Sequence, residues 1–254
     1  MRENTQFFEQ IEHVKVPWGK RSILLPVFYY DVTTLAAQFI APLKTIQELL
    51  PSPRLHPLRI TPWHCVVSIS AFEYRDSDIG AYHEVSISIP VVLDKPSPLF
   101  IGTLHQVPEV LKVYVHHVPA TTEIACSAGI ELAGYPKFIA DIKFERDANL
   151  VRCEVWEGGK HIITLTGREG KLNKTSRSRM QLITTREGYL LRSEFVVSER
   201  NQFSSAGGKD VHFELGDHII AQEMRKWNLG KTLGYQYAPQ HQAILTPVIE
   251  SFTH

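Results

Sequence analysis

One lysine, Lys137, lies in an otherwise apolar run directly after a rigid Tyr135-Pro136 step. A lysine kept out of water loses affinity for its proton, so its neutral amine can attack a carbonyl carbon near pH 7. Bringing the pKa of a lysine down to neutrality requires about 4 kcal/mol of differential stabilisation, which several apolar neighbours can supply. The segment therefore predicts carbonyl chemistry through an imine at Lys137. The alternative is a lysine whose stem packs on apolar side chains while its ammonium stays in solvent.

The charge balance of the chain indicates a small-molecule partner. The 254 residues include 27 basic and 27 acidic ones, and neither sign forms a block. This pattern argues against nucleic acid and against an anionic membrane surface as partners. The one locally basic stretch, residues 171–179, is interleaved with small polar residues and predicts a solvated loop. We expect a single domain over residues 1–254, because no linker, repeat or low-complexity tract divides the chain.

The cysteines and the apolar content predict a cytoplasmic protein. Cys65, Cys126 and Cys153 are far apart and show no Cys-x-x-Cys spacing, so they predict core residues in a reducing compartment rather than disulfides or a zinc site. The N-terminal residues are polar and charged, unlike a secretion signal. No stretch approaches the roughly 18 apolar residues of a membrane span.

Two further motifs carry weaker signals for a bound ion. His116 and His117 fall on a predicted strand, where adjacent side chains point to opposite faces and do not share a metal ion. Residues 204–209 resemble a phosphate-binding loop only superficially, because they lack the full Walker spacing, and they predict a flexible loop over the mouth of a barrel. We therefore expect a protein that uses no metal and no cofactor.

The elements that must position Lys137 are predicted to be mostly β-strands. Apolar and small polar residues alternate with the period of two that is typical of strands. Strands are predicted over residues 64–74, 84–93, 113–117, 121–125, 139–145, 149–156, 161–166, 180–185 and 189–198. Between two of them, Gly158 and Gly159 supply the positive φ angles that a tight hairpin turn needs.

Helices are predicted at three places. Residues 33–50 carry apolar residues at helical spacing, with a break expected at Pro42. Shorter helices are predicted over residues 107–111 and 217–227. The predicted fold class is therefore mostly β (α+β), an antiparallel β barrel or cone with a few flanking helices and the site inside it.

The segment from Gly129 to Lys137 resembles the active-site segment of the acetoacetate decarboxylase family. The matching positions are Gly129, Glu131, Leu132, Tyr135, Pro136 and Lys137. The resemblance continues in Tyr82 and Glu84 of a Tyr-x-Glu strand, in Ile89-Pro90-Val91, in Leu215-Gly216-Asp217-His218, and in Arg21 ahead of Tyr29-Tyr30-Asp31. It covers most of the chain, over residues 20–245.

The resemblance implies a lyase that uses Lys137 as its nucleophile. In that family the corresponding lysine condenses with a β-keto acid to a protonated Schiff base, and the iminium accepts the electrons released when carbon dioxide leaves. The resemblance further implies that Arg21 binds the substrate carboxylate and that Glu84 balances this charge and assists proton transfer. Tyr82 and Glu131 would then lie at the substrate. A homo-oligomer is implied as well.

Considered without the resemblance, these residues also fit ordinary structural roles. Arg21 fits a surface arginine, and Glu84 fits a carboxylate on the solvent face of a strand. Glu131 fits a residue that orients the lysine loop through backbone hydrogen bonds.

Two departures from the family pattern bear on the reaction. Phe138 occupies the position of the family's second lysine, so no neighbouring cation assists Lys137. The strand over residues 64–71 contains no acid where the family carries another glutamate, and Glu73 comes too late in the strand. The expected reaction is decarboxylation of an acetoacetate-like β-keto acid. The alternatives are an aldolase-dehydratase that uses the same lysine on pyruvate-like substrates, and a non-catalytic β cup that binds a small ligand.

Overall fold

The computed structural model describes residues 6–96 and 110–253. Within these ranges the chain is mostly β, as the alternating sequence predicted. The strands are β1 Val14–Trp18, β2 Arg21–Leu25, β3 Val27–Pro42, β4 Leu55–Pro57, β5 His64–Ser77, β6 Tyr82–Leu93, β7 Leu111–Ala120, β8 Lys137–Ile139, β9 Asp141–Asp147, β10 Leu150–Glu157, β11 Lys160–Arg168, β12 Asn173–Thr175, β13 Ser178–Arg186, β14 Tyr189–Val197, β15 Arg200–Ala206, β16 Val211–Leu215, β17 Thr232–Leu245 and β18 Glu250–Thr253. The helices are α1 Leu43–Gln47, α2 Glu123–Ala133 and α3 Ile219–Lys226. None of these helices is long and apolar enough to cross a membrane.

Most of the strands form one curved sheet, the main sheet. Its hydrogen-bonded order is β12-β15-β17-β3-β5-β6-β7-β13-β14-β18, with β4 added to β6 and β8 added to β7. Residues 195–197 of β14 also pair with residues 243–245 of β17, so the sheet curves back on itself. Among the described strands, only the pairs of β7 with β13 and with β8 are parallel. The strands from β17 through β14 therefore surround a common interior.

The two faces of the main sheet differ in chemistry because side chains alternate along each strand. On β5 and β6, Ser68, Ser70 and Ser86 face the interior. Ile69 and Ile87, which alternate with them, are buried in the core on the outer face. The alternation that predicted these strands therefore also separates an interior wall that carries hydroxyl groups from an apolar core.

The apolar outer face packs against a second sheet and against α3. The second sheet has the order β16-β11-β10-β9. The shared core includes Val67, Ile69, Val85, Ile87, Val151, Cys153, Val155, Ile163, Leu165, Met224 and Trp227. Burial of one aliphatic side chain of this size contributes roughly 1.5–3 kcal/mol. This layer therefore holds β5 and β6 in place from behind.

The predicted hairpin and the predicted C-terminal helix are confirmed. β10 and β11 are joined through Gly158 and Gly159, which have φ values of 55° and 76°. α3 lies within the helix predicted over residues 217–227. It begins after His218, whose Nδ1 accepts a hydrogen bond from the backbone N–H of Ile220 at 3.2 Å.

The helix predicted over residues 33–50 is wrong over most of its length. Residues up to Pro42 belong to β3, and only α1 is helical. The apolar run also fits a period of two, and Leu35, Ala37 and Phe39 share the core on one face. β17 and β5 bond to the two edges of β3. These pairings select the strand from a pattern that fits both periods.

Several shorter predictions differ from the structure. Residues 121–125, predicted as a strand, contain the start of α2, whose small residues are buried. Residues 204–209, predicted as a loop, include the end of β15, which pairs with β17. The stretch 171–179, also predicted as a loop, contains β12, which pairs with β15. The helix predicted over residues 107–111 lies outside the described residues, apart from its last two positions, where Leu111 begins β7.

The three cysteines are free and buried, as predicted for core residues. Burial raises the pKa of the Cys65 thiol to about 12. That thiol is therefore protonated and unreactive at neutral pH.

Candidate active site

Lys137 is positioned by the end of α2 and by the edge of the main sheet. α2 ends at Gly134, which has the left-handed φ of 64° that favours glycine. The N–H of Tyr135 turns back and donates to the carbonyl of Gly129 at 3.1 Å. Lys137 then begins β8 opposite Val118 of β7. The lysine is thus fixed from both sides by regular backbone structure.

Gly129 provides the space through which the stem of Lys137 passes. A Cβ atom at Gly129 would lie 2.7 Å from Cδ and 2.7 Å from Cε of the lysine. Real Cβ atoms do not approach carbon this closely, so any side chain at this position would displace the stem. The glycine in the family motif therefore has a direct steric role here.

The ammonium of Lys137 is buried and paired. The lysine side chain is only 7% exposed, and its Nζ contacts Oε2 of Glu84, whose side chain is 12% exposed. The rings of Tyr82 and Tyr135 both lie 5.7 Å from Nζ, within the range of a cation–π contact. This geometry rules out the alternative in which the ammonium reaches into solvent.

A cluster of neutral tyrosines surrounds this ion pair. The hydroxyls of Tyr29 and Tyr82 lie 3.2 Å apart, and the hydroxyl of Tyr135 lies 2.8 Å from Oγ of Ser193. The ring of Tyr74 packs against the rings of Tyr29 and Tyr82. Burial, reinforced by the negative charge of Glu84, raises the pKa of all four tyrosine hydroxyls well above its ordinary value. The tyrosines therefore supply hydrogen bonds and apolar surface but no negative charge.

Lys137 and Glu84 both line a cavity of about 980 Å³ inside the main sheet. This volume is at the upper end of the range of pockets that bind small molecules. Hydroxyl groups are contributed by Thr34, Ser68, Ser70, Ser86 and Ser88. Apolar surface is contributed by Val66, Val113, Val115, Leu182 and Phe195. The cavity therefore suits a small, partly polar ligand.

Arg200 adds a positive charge to the wall of this cavity. Its Nε donates to Oε1 of Gln202 at 2.9 Å, and its Nη1 donates to Oγ of Ser178 at 3.3 Å. Among the described residues it forms no ion pair with a carboxylate. Burial, followed by the charge of Arg200, lowers the pKa of the nearby His241 to about 4, so His241 is neutral. The guanidinium is thus available to an anion in the cavity.

The structure brings together some of the predicted site residues and not others. Lys137 and Glu84 are in contact, and Tyr82 lies beside them. Arg21 is exposed at the start of β2, where it pairs with Trp18 in a two-stranded hairpin. It does not line the cavity, so the position inferred for Arg21 at the substrate is not found.

Glu131 has a structural role in place of the predicted contact with substrate. Its carboxylate is exposed and accepts a hydrogen bond from Nε1 of Trp18 at 2.5 Å. Its backbone carbonyl accepts a hydrogen bond from Arg186. These contacts attach α2 to the β1–β2 hairpin and to β13, which agrees with the alternative that Glu131 orients the lysine loop.

The two departures from the family pattern have clear structural counterparts. Phe138 follows Lys137 in β8 and packs against the main core. Glu73 is bound to Arg146 and Arg75, on the opposite face of β5 from the cavity. No change of register brings Glu73 toward Lys137, because β5 and β6 pair continuously over this stretch.

Sequence reasoning missed Arg200 and Glu194 as cavity residues. Both come from strands far along the chain, and no local pattern marks them. The serines at 68, 70, 86 and 88 could have been found, because they share with Glu84 the face set by the period of two.

The fold and the site define a β-rich protein in which a buried lysine–glutamate pair lies at the wall of a large cavity. The family model described as acetoacetate decarboxylase matches residues 14–197. The chain therefore belongs to the acetoacetate decarboxylase family, as the sequence resemblance indicated.

Several solved structures share the fold. A structure of acetoacetate decarboxylase has a TM-score of 0.61 at 15% identity, over 94% of this chain and 90% of that one. The acetoacetate decarboxylase of Legionella pneumophila subsp. pneumophila str. Philadelphia 1 has a TM-score of 0.62 at 14% identity, with coverages of 89% and 88%. The enduracididine biosynthesis enzyme MppR, complexed with pyruvate, has a TM-score of 0.64 at 9% identity, with coverages of 93% and 94%. No curated protein sequence matches the chain.

Proposed function

We propose that the protein is a Schiff-base-forming lyase that acts on a small keto acid, with Lys137 as its nucleophile. The observation that carries this proposal is the buried Nζ of Lys137, held against the carboxylate of Glu84 at the wall of the cavity. An amine that attacks a carbonyl must first lose a proton, and a positioned carboxylate can accept it. Two of the residues that this chemistry needs are therefore in contact.

In the first half of the reaction the imine forms. Glu84 accepts a proton from the ammonium of Lys137, and the free Nζ attacks the keto carbon to give a carbinolamine. Glu84 then returns the proton to the hydroxyl group, which leaves as water. The product is an iminium that links Lys137 to the substrate. The neutral tyrosines and valines around the pair exclude bulk water and strengthen these charge interactions.

In the second half the iminium accepts electrons. In an acetoacetate-like substrate the bond to the carboxylate carbon breaks, carbon dioxide leaves, and the electron pair of the bond gives an enamine. The enamine carbon takes up a proton, and water hydrolyses the resulting imine to release a ketone and free Lys137. Decarboxylation of an acetoacetate-like β-keto acid is the reaction that we favour.

Within this proposal Arg200 takes the carboxylate-binding role that the resemblance implied for Arg21. Arg200 lines the same cavity as Lys137, whereas Arg21 is on the surface. A guanidinium presents paired donors that match the two oxygens of a carboxylate. A keto acid whose carboxylate reaches Arg200 while its carbonyl carbon lies at Lys137 would be held at both groups.

An aldolase-dehydratase that uses the same lysine on a pyruvate-like substrate is the second candidate. It is favoured by the cavity volume of about 980 Å³, which exceeds what a four-carbon acid fills and leaves room for a second carbonyl compound. The likeness to MppR, whose structure contains pyruvate, supports the same candidate. Both candidates share the imine at Lys137.

Borohydride trapping tests the shared step and separates the two candidates. The protein is incubated with acetoacetate, and separately with pyruvate, while borohydride reduces any imine, and its peptides are analysed by mass spectrometry. An isopropyl group on Lys137 after acetoacetate would report an imine followed by loss of carbon dioxide. An adduct that keeps its carboxylate, formed with pyruvate alone, would favour the aldolase-dehydratase. No adduct on folded protein from either acid would contradict the proposal and favour a non-catalytic cup.

The same trapping assay tests the role of Arg200. Arg200→Met is expected to raise the keto acid concentration needed for half-maximal labelling roughly 10- to 100-fold, since a hydrogen bond to a charged group contributes about 1.5–3 kcal/mol. Arg179→Met is the matched control, because Arg179 lines the same cavity but already pairs with Glu194 at 3.5 Å. Equal shifts in both variants would contradict a specific carboxylate contact at Arg200.

Gly129→Ala is expected to lower turnover about 100-fold, because it pushes the stem of Lys137 out of line and such misplacement of a reacting group has effects of this size. The stability of α2 should not fall, since alanine is favoured over glycine inside a helix by roughly 0.5–1 kcal/mol. The measurement is turnover together with the urea midpoint of unfolding. Ser127→Ala, in the same helix, is the control. Normal turnover in Gly129→Ala would show that the lysine tolerates a shifted stem.

A further inference from the structure

A second cluster of reactive side chains lies outside the cavity. His116 and His117 of β7 and Glu223 of α3 bring three ligand atoms within 4.8 Å of one another. Nε2 of His116 lies 3.0 Å from Oε1 of Glu223, and Nε2 of His117 lies 3.1 Å from Oε2. Neither histidine lines the cavity, and this cluster is independent of the reaction proposed at Lys137.

A β-bulge explains why both histidines point to the same side. On the neighbouring strand, Ile87 pairs with His117 and Ser88 pairs with Val115, which leaves His116 as the extra residue. In a bulge two residues oppose one on the partner strand, and the usual alternation of side chains is interrupted. The sequence-based expectation that these two histidines cannot meet at one ion is therefore wrong.

The cluster is held in place before any ion binds. The ring of Trp227, which is buried at the end of α3, lies 5.3 Å from the ring of His116 at an interplanar angle of 66°. The two imidazole rings lie 4.4 Å apart. Glu223 is flanked by the buried Met224 on α3. Ligands fixed in this way lose little freedom when they coordinate an ion.

The donor set matches a divalent transition metal. Two imidazole nitrogens and one carboxylate are ligands that zinc accepts, with bonds of roughly 2.0–2.2 Å that place neighbouring ligand atoms about 3.3–3.6 Å apart in a tetrahedron. The observed separations of 3.0 and 3.1 Å join the two imidazole nitrogens to different oxygens of Glu223, and one ligand atom from each of the three residues lies within 4.8 Å of the others. A rotation of these side chains is therefore needed to bring the three ligand atoms to this spacing around one ion. The carboxylate of Glu223 is 36% exposed, so the ion can enter from solvent and keep a water molecule as its fourth ligand.

We propose that His116, His117 and Glu223 form a binding site for one divalent transition-metal ion of the zinc type. The ion joins α3 to β7. The residue after His117 is Val118, the strand partner of Lys137. The site thus stabilises β7, the strand that pairs with β8 and its Lys137, without lining the cavity.

Metal titration of the full chain tests this site. After treatment with a chelator, the protein is titrated with Zn²⁺ in a calorimeter and with Co²⁺ by visible absorption. One ion per chain is expected, with a dissociation constant at or below the micromolar range and a higher thermal midpoint, since a ligand that binds only the folded state stabilises it. The d–d absorption of bound Co²⁺ would report nitrogen and oxygen ligands.

Three variants decide whether the ion binds at the proposed residues. His117→Ala and Glu223→Gln are each expected to weaken Zn²⁺ binding at least about 100-fold. Glu223→Gln keeps a hydrogen-bonding side chain, so it still tests the site if His117→Ala folds poorly. His212→Ala is the matched control, because His212 pairs with a single carboxylate, that of Glu214, at 2.8 Å on an exposed strand. The proposal would be overturned if Zn²⁺ does not bind stoichiometrically, or if His117→Ala and Glu223→Gln leave its binding unchanged. The cluster would then be a hydrogen-bonded contact between β7 and α3.

Discussion

Lys137→Met is expected to reduce turnover of the keto acid by roughly 10⁵-fold or more, because covalent catalysis then has no nucleophile and enzymes of this kind accelerate reactions by at least about 10⁶-fold. Methionine keeps an unbranched apolar stem, so it can follow the path past Gly129 and preserve the shape of the cavity. Release of carbon dioxide and the mass of the borohydride-treated protein are both measured. A variant that still turns over, or that still gains an adduct, would show that Lys137 is not the nucleophile.

The same variant removes one member of a buried ion pair, which affects stability as well as turnover. Glu84 would remain buried without its partner, and the loss of one partner from such a pair costs about 3–5 kcal/mol. The double variant Lys137→Met/Glu84→Gln leaves no unpaired charge and is expected to regain most of this loss while remaining inactive. The free energies of unfolding of the single and the double variant are measured in urea. If the double variant is no more stable than Lys137→Met, the loss of stability arises from packing and not from the unpaired charge of Glu84.

The residues around Lys137 could be predicted from sequence because local geometry determines them. The turn after α2 requires a left-handed residue at Gly134, and the stem of Lys137 requires the absence of a side chain at Gly129. Both requirements lie within nine residues of the lysine and leave a recognisable motif. Strand alternation places Glu84 on one face with Ser86, but the family resemblance was needed to assign that face to the site.

The rest of the cavity could not be predicted because distant strand pairings create it. Arg200 reaches the interior only because β15 pairs with β17 and β17 pairs with β3. Arg21 matched the family by its position in the sequence, yet the β1–β2 hairpin keeps it at the surface. The histidine cluster depends on one bulged residue, His116, whose effect on side-chain direction has no signature in composition or periodicity.

The interior acids also decide which reactions the cavity can support. In the described part of the chain, Glu84 and Glu194 are the acids that line it, and Glu194 is paired with Arg179. On β5, Phe72 pairs with Glu84, and Ser70 and Ser68 follow on the same face, in the stretch where the family pattern has a further glutamate. A mechanism that needs proton transfer at two separate carbons can therefore draw on Glu84, on Glu194 and on the neutral imidazole of His241, which lines the same cavity.

Glu84→Gln is expected to lower turnover roughly 10²- to 10⁴-fold, the usual contribution of a positioned general base. Glutamine has the shape of glutamate and can still accept a hydrogen bond from the ammonium of Lys137, but it cannot take up the proton that the lysine must lose before it attacks. Initial rates of turnover and of imine trapping are measured on the folded variant. Ser86→Ala, two residues along the same strand face, is the control and is expected to stay within a few-fold of the parent.

Chemical rescue then distinguishes a base from a residue that only orients the lysine. A small carboxylate such as formate, added to Glu84→Gln, fits a cavity of about 980 Å³ and can replace the missing base, so part of the lost rate should return. The same addition should not restore Lys137→Met. If Glu84→Gln keeps the parent rate, Glu84 is not the base that activates the lysine. Glu194 would then be the remaining acid in the described wall of the cavity, and Glu194→Gln would be the variant expected to lower the rate of turnover.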